Sequence, residues 1–196
     1  MSTRSLVVFE DKGKEVCTLY RQSDGYPEGM GKDLYDLLKG KNIVNGYNDP
    51  KNQINGFENL IPIAIWGLVN GTCDSVLSCR KWDEEFNKKY PNDTQRDISS
   101  DPPWPCGGVY IYPVGTRNCG EEFIYTLSVK MDKPKKGAVG GVCGRIMMKC
   151  QVVHWSKNKK TEVEKTTYRK IYSGELDKFG EFLTKTKIDK QVTATE

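Results

Sequence analysis

Two runs of β-branched and aromatic residues flank a short turn in residues 5–21, SLVVFEDKGKEVCTLYR. The first run covers residues 5–10 and the second covers residues 15–21. Such runs are typical of paired strands, and Gly13 in the turn between them can take a positive φ. The sequence therefore predicts an N-terminal β-hairpin.

Helical spacing follows this hairpin. A glycine-rich loop at residues 23–31 precedes residues 32–38, whose three leucines share one helical face. Residues 39–56 are polar and predict a connecting loop, whereas residues 57–69 are apolar on nearly every face, which is typical of a buried helix. A short amphipathic helix is predicted at residues 82–90.

From residue 109 onward, apolar and polar residues alternate in four segments, and a period of two predicts strands. A final amphipathic helix at residues 175–184 would cover one face of the sheet. The fold prediction is a single α+β domain at residues 1–184, with an N-terminal β-hairpin followed by helices and then a C-terminal antiparallel β-meander covered by helices. Residues 185–196 are predicted to be a polar tail. The four strand segments are residues 109–114, 122–131, 145–155 and 161–172.

Charge and hydropathy restrict the partners. The net charge of the 196-residue chain is only +4, and its lysine clusters fall at residues 130–136 and 157–160, where solvated loops are expected. We therefore do not expect a nucleic-acid partner. Charges throughout residues 1–21 exclude a signal peptide, and the apolar stretch at residues 60–69 is shorter than the roughly 20 residues that a membrane helix needs. The prediction is a soluble cytoplasmic protein without a membrane partner.

Cysteine spacing predicts reduced thiols and no disulfides. The count is odd, and no C-x-x-C pair occurs. A zinc site is not predicted, because five residues separate Cys73 from Cys79 and the single histidine, His154, lies in a strand pattern. No metal or other cofactor is expected. The seven cysteines are Cys17, Cys73, Cys79, Cys106, Cys119, Cys143 and Cys150.

Three segments carry a family resemblance: the start MSTRS at residues 1–5, the loop YRQSDGYPEGMG at residues 20–31, and residues 108–125. Together they resemble a family of proteins without an assigned activity in bacteria, phages and large DNA viruses. Its members begin Met-Gly-Thr-Arg-Ser and carry a Tyr-Arg-His-Trp-Asp-Gly-Tyr-Pro loop; here Ser2 replaces the glycine, and Gln-Ser replaces His-Trp. The resemblance covers residues 1 to about 130. It implies an accessory protein of viral or bacterial type, in the host cytoplasm or the virion if viral.

The glycine-rich loop also has the composition of an anion site. Backbone N–H groups at a helix N-terminus, together with two arginines, could hold an anion. The alternative is a purely structural loop, in which Asp24 forms an Asx-turn and Gly25 takes a positive φ. The predicted ligand-binding residues are Arg4, Arg21, Asp24, Gly25, Tyr26, Gly29 and Gly31.

Ser2 gives the chain an enzymatic alternative. Once Met1 is removed, the Ser2 hydroxyl could use its own α-amine as a general base, as N-terminal nucleophiles do. The arrangement resembles penicillin acylase-like and bile-salt-hydrolase-like amidases, in which an Arg-x-x-Asp follows the second strand of a hairpin and lies beside the nucleophile. The alternative prediction is therefore an amidohydrolase with Ser2, Arg21 and Asp24 as catalytic residues.

Aromatic residues are concentrated in the segment that follows residue 103. At a period of two, Tyr110 and Tyr112 share one strand face, and Phe123 and Tyr125 share a face of the next strand. With Trp104 they form either a docking surface for a protein partner, such as a viral assembly, or a core covered by the helix at residues 57–69. The function predicted from the sequence is binding of a protein partner or a small anionic ligand.

Overall fold

The computed structural model describes residues 3–45, 52–69, 84–92, 109–132, 144–157 and 164–193. Within these ranges, eight strands form one curled sheet, and helices pack against one of its faces. The α+β class predicted from the sequence is confirmed.

The strands and helices have the following bounds. The strands are β1 (Ser5–Asp11), β2 (Lys14–Arg21), β3 (Asn42–Val44), β4 (Gln53–Asn55), β5 (Val109–Tyr112), β6 (Phe123–Met131), β7 (Gly144–Lys157) and β8 (Glu164–Glu175). The helices are α1 (Lys32–Leu38), α2 (Leu60–Val69), α3 (residues 84–89) and α4 (Phe179–Thr193). None of the helices in the described ranges is both long enough and apolar enough to cross a membrane.

Strands β1 and β2 pair in antiparallel register, from Ser5 opposite Arg21 to Asp11 opposite Lys14. Their connection is short because Lys12 and Gly13 both take a positive φ, of 49° and 78°. Two consecutive positive φ angles give a turn whose twist matches that of the paired strands. The glycine in the turn is the sequence feature that allows this connection.

The sheet is mixed and not purely antiparallel. The strand order is β4-β3-β7-β6-β1-β2-β5, and β8 pairs with β7. Strand β1 is parallel to β6, and β3 is parallel to β4. Alternation of side chains identifies a strand and its two faces, but it does not identify the neighbouring strand or its direction.

Strand β5 departs furthest from the predicted meander. It pairs with β2 instead of β6, while β6, β7 and β8 pair in antiparallel succession. Two smaller differences concern connecting segments. The predicted loop at residues 39–56 contains β3 and β4, and residues 185–193 of the predicted tail continue α4.

The larger hydrophobic core lies between the sheet and the helices. Alternate residues of the central strands point into it, such as Val7 and Phe9 of β1 and Tyr125 of β6, all fully buried. Helix α1 contributes Leu34, α2 contributes Leu60 and Ala64, and α4 contributes Phe179 and Leu183. Burial of each large apolar side chain stabilises the fold by about 1.5–3 kcal/mol.

The opposite face of the sheet has no helix packed on it in the described ranges, and it carries a smaller apolar cluster that includes Leu6 and Val8. The pairing of β7 with β8 shifts register between Cys150 and Gln151, and such bulges bend a strand. The far end of the β7–β8 pair reaches the segment before β6, where the Trp155 indole N–H donates to the backbone oxygen of Glu121 at 3.2 Å. We call the face that carries this smaller cluster the open face.

Candidate functional site

The glycine-rich loop is fixed by hydrogen bonds to the elements around it. The backbone N–H of Gly25 donates to the carbonyl oxygen of Thr3 at 2.9 Å, and the Tyr125 hydroxyl donates to the carbonyl oxygen of Gly25 at 2.8 Å. The N–H of Met30 donates to the carbonyl oxygen of Asp24 at 2.8 Å. The loop is therefore attached to the N-terminal segment and to β6, and it closes on itself.

The glycines of this loop make room for the protein itself. A Cβ atom on Gly25 would lie 2.6 Å from the carbonyl carbon of Arg4, and one on Gly31 would lie 2.9 Å from the Phe179 ring. The positive φ predicted for Gly25 is wrong, because it falls on Asp24, at 54°. Close packing accounts for these two glycines, and the anion site at this loop stays a prediction.

Arg21 is engaged on the helical face of the sheet. Its side chain is 3% exposed, and its Nη1 lies 2.5 Å from the Oδ2 of Asp33, which is equally buried. The same nitrogen lies 3.2 Å from the sulfur of Met30. This buried ion pair joins β2 to α1, so Arg21 contributes to packing at this position.

Arg4 lies on the other side of the sheet from Arg21. The Arg4 guanidinium lies against Gly120 and interacts electrostatically with Tyr20, which belongs to the open-face cluster. Arg21, the next residue after Tyr20, points to the opposite face and bonds to Asp33. The structure therefore does not bring the two predicted arginines together.

The N-terminal nucleophile stays a prediction. Ser2 lies outside the described residues. Its predicted partners are placed as follows: Arg21 binds Asp33, and the carboxylate of Asp24 accepts a hydrogen bond from the Tyr26 hydroxyl at 3.2 Å. In an Asx-turn, the Asp24 side chain would accept a hydrogen bond from a backbone N–H. Among the described residues, it accepts one from the Tyr26 hydroxyl instead.

A polar cavity of about 150 Å³ lies on the open face of the sheet, and we call it the cleft. Its charged side chains are Glu10, Glu15, Arg117 and Lys149. The uncharged ones are Val8, Ile124, Thr126, Gln151 and Tyr168. The side chains of five strands and of the segment after β5 therefore converge on one small site.

Sheet register explains why the cleft residues meet. Val8 of β1 lies opposite Thr126 of β6, which in turn lies opposite Lys149 of β7. Ile124 and Gln151 form the next pair on the same face of β6 and β7. The parallel pairing of β1 with β6 is what brings the N-terminal strand to this site.

Glu15 and Arg117 form the one ion pair recorded among the cleft residues. The Arg117 Nη2 lies 2.9 Å from the Glu15 Oε2, and the N–H of Gly115 donates to Glu15 Oε1 at 2.8 Å. The Thr18 hydroxyl donates to the same oxygen. Burial alone would raise the pKa of Glu15, but the bonds from Arg117, Thr18 and Gly115 outweigh it and lower this pKa. Glu15 is therefore an anion that fixes Arg117 at the edge of the cleft.

Glu10 and Lys149 are the other two charges of the cleft. Both are partly buried, and among the described residues neither side chain has a hydrogen-bond or ion-pair partner. A ligand group of opposite charge can pair with each of these side chains. The cleft thus offers one cation and one anion for binding.

The aromatic residues predicted to share one hairpin are separated in the structure. Since β5 and β6 are not neighbours, Tyr112 stacks on Tyr20 of β2, with ring centroids 4.9 Å apart. Tyr125 is fully buried in the core, whereas Tyr110 is 45% exposed. Trp104 lies outside the described residues. The set is thus divided between core and surface, and a protein partner stays a prediction.

The described cysteines are free thiols. They are Cys17, Cys119 and Cys150, and the other four lie outside the described residues. Burial raises the pKa of Cys150 to about 12, and burial together with a hydrogen bond to the Glu121 carboxylate raises that of Cys119 to about 11. Within the described ranges, no three potential metal-binding side chains come together.

Comparison of the chain with protein-family models, curated proteins and solved structures finds no match. The comparisons therefore transfer no activity, ligand or partner to this protein. The family resemblance of residues 1 to about 130 stays a prediction, and function has to be argued from the geometry of the cleft.

Proposed function

We propose that the protein acts by binding a small anionic ligand in the cleft on the open face of the sheet. The observation that carries this proposal is the position of Lys149. Its side chain lines the cleft, is partly buried, and has no partner among the described residues. A lysine ammonium is a compact charge with three donors, and it suits a carboxylate or phosphate oxygen.

The neighbours of Lys149 add hydrogen-bonding groups. Thr126 lies directly opposite it, and Gln151 follows it on the same face of β7. A hydroxyl and an amide can both donate to an anion, so these side chains would fix its orientation. The position of Arg117 is fixed by Glu15, and Arg117 would supply a second, weaker attraction because its charge is partly neutralised.

Direct binding measurements test this proposal. Acetate, butyrate, hexanoate and phosphate are titrated into the protein by calorimetry, with Lys149→Gln as the test variant. Lys130→Gln is the matched control, because Lys130 lies on the adjacent strand β6, is exposed, and does not line the cleft. Each variant removes one positive charge.

The expected result is that the wild type binds at least one of these anions and that Lys149→Gln weakens binding by roughly 10- to 100-fold, since a charge-assisted hydrogen bond contributes about 1.5–3 kcal/mol. Lys130→Gln should bind as the wild type does. Equal affinities of the two variants, or no binding of any anion to the wild type, would contradict the proposal.

A further inference from the structure

The charges of the cleft balance one another. Arg117 and Glu15 form an ion pair, which leaves the ammonium of Lys149 and the carboxylate of Glu10. A ligand with only negative charge would satisfy Lys149, but it would be repelled by Glu10 in the same small cavity. A ligand that carries both charges satisfies both side chains.

The sheet separates these two charges by a defined distance. Glu10 lies two residues beyond Val8 on β1, and Lys149 lies two strands away on β7, which places their Cα atoms about 12 Å apart. Both side chains line the same cavity of about 150 Å³. A short ligand could therefore reach both.

The sheet register places Thr126 of β6 between the two charges. Thr126 lies opposite Lys149 on one side and opposite Val8 on the other, and Val8 and Ile124 also border the cleft. Both apolar side chains are nearly fully buried, so they belong to the floor of the cleft. The methylene groups of a ligand that spans the two charges could lie over this floor. The separation of one cation from one anion across the cleft matches a short aliphatic chain with two charged ends.

We infer that the ligand is a small zwitterion of the ω-amino acid type, with its carboxylate on Lys149 and its ammonium on Glu10. This inference rests on the proposed function, because it places the anionic group of the ligand at the same lysine. The methylene groups then lie over the floor of the cleft at Thr126 and Val8, and Gln151 donates to the carboxylate.

Matched pairs of ligands test the inference. The pairs are glycine with acetate, γ-aminobutyrate with butyrate, and 6-aminohexanoate with hexanoate, each titrated by calorimetry into the wild type, Glu10→Gln and Lys149→Gln. Glu122→Gln serves as the control for Glu10, since Glu122 is exposed and does not line the cleft. Far-UV circular dichroism and thermal unfolding show whether each variant is folded, and Glu10→Asp replaces Glu10→Gln if the latter is not.

For γ-aminobutyrate or 6-aminohexanoate, the zwitterion should bind about tenfold more tightly than its matched anion, because it gains a hydrogen-bonded charge pair with Glu10. Glu10→Gln should remove this advantage without weakening the binding of the anion, and Glu122→Gln should retain it. If Glu10→Asp is used instead, the preferred chain length of the ligand should shift, because the Asp carboxylate lies one methylene group closer to the backbone. Lys149→Gln should weaken both ligands of a pair.

Two other results have different meanings. If anions bind through Lys149 but no zwitterion binds more tightly than its matched anion, the inference is overturned and the proposed function stands. If neither class of ligand binds, or if Lys149→Gln has no effect, the proposed function fails and the inference fails with it.

Discussion

At the scale of single residues, Gly25 shows why the loop after β2 tolerates little change. A Cβ atom there would lie 2.6 Å from the carbonyl carbon of Arg4 and 2.8 Å from the Cβ of Ser5. Because backbone atoms cannot move aside as a flexible side chain can, Gly25→Ala should lower the free energy of unfolding by about 1–3 kcal/mol. Urea unfolding of the two proteins measures this difference.

Asp24→Gly is the control for this substitution. Asp24 takes a φ of 54°, which glycine adopts without strain, and its carboxylate bond to Tyr26 is at the surface. Its removal should change stability by less than about 1 kcal/mol in either direction. If Gly25→Ala is as stable as the wild type, the account of the loop as a close backbone contact is wrong.

Cys150 should make stability depend on alkaline pH. Burial raises its pKa from 9.0 to about 12, so between these values the unfolded thiol ionises while the folded thiol stays neutral. The unfolded state is then favoured, and stability should fall by about 1.4 kcal/mol per pH unit from this group. Burial also raises the pKa of Tyr125 well above 10.0, which adds a loss of the same sign above that pH.

Unfolding free energies at pH 8, 9, 10 and 11 measure this effect. Cys150→Ala should be less stable than the wild type at pH 8, because it leaves a cavity in the core, but its stability should fall less steeply as the pH rises. Parallel pH profiles of the two proteins would show that Cys150 ionises alike in the folded and unfolded states.

At the scale of elements, the ion pair of Arg21 and Asp33 fastens β2 to α1. Both side chains are 3% exposed, so removal of either takes an ion-pair partner away from a buried charge. Arg21→Met alone should destabilise by about 3–5 kcal/mol, whereas the double variant with Asp33→Leu should recover part of this loss. Thermal and urea unfolding measure both variants. A cost below about 1 kcal/mol for Arg21→Met would mean that the pair does not stabilise this junction.

The elements differ in how far the sequence predicts them. Strand β1 is a run of β-branched and aromatic residues, and much of β6 alternates apolar with polar residues, so composition and periodicity predict their positions. Strands β3 and β4 have three residues each. Because three residues are too few to show a period, the sequence predicts a loop there. Residues 185–193 carry few apolar side chains, so no periodicity indicated that α4 continues through them.

At the scale of the whole molecule, the site depends on strand pairing that is not encoded locally. The sequence predicts a site at residues 20–31 because an arginine, an aspartate and three glycines are close together there. The cleft residues Glu10, Arg117 and Lys149 are far apart in the chain, and they meet only because β1 lies parallel to β6. Lys149 lies between two apolar residues of β7, and a charge at such a position is the signal that the sequence offers for this site.

The two faces of the sheet therefore have different roles. One face is covered by helices and holds the larger core, and the charge of Arg21 on that side is neutralised by Asp33. The open face carries two partly buried charges without partners among the described residues, and it is the face on which we place ligand binding. Ligand binding is therefore placed in the cleft and not at the glycine-rich loop.

A titration of ¹⁵N-labelled protein with sodium butyrate, followed by amide chemical shifts, tests this assignment most directly. We expect saturable shifts at residues on the cleft strands, centred on Val8, Thr126, Lys149 and Gln151, and we expect Lys149→Gln to lose them. Saturable shifts centred on residues 24–31 instead, or no saturable shifts anywhere, would contradict it.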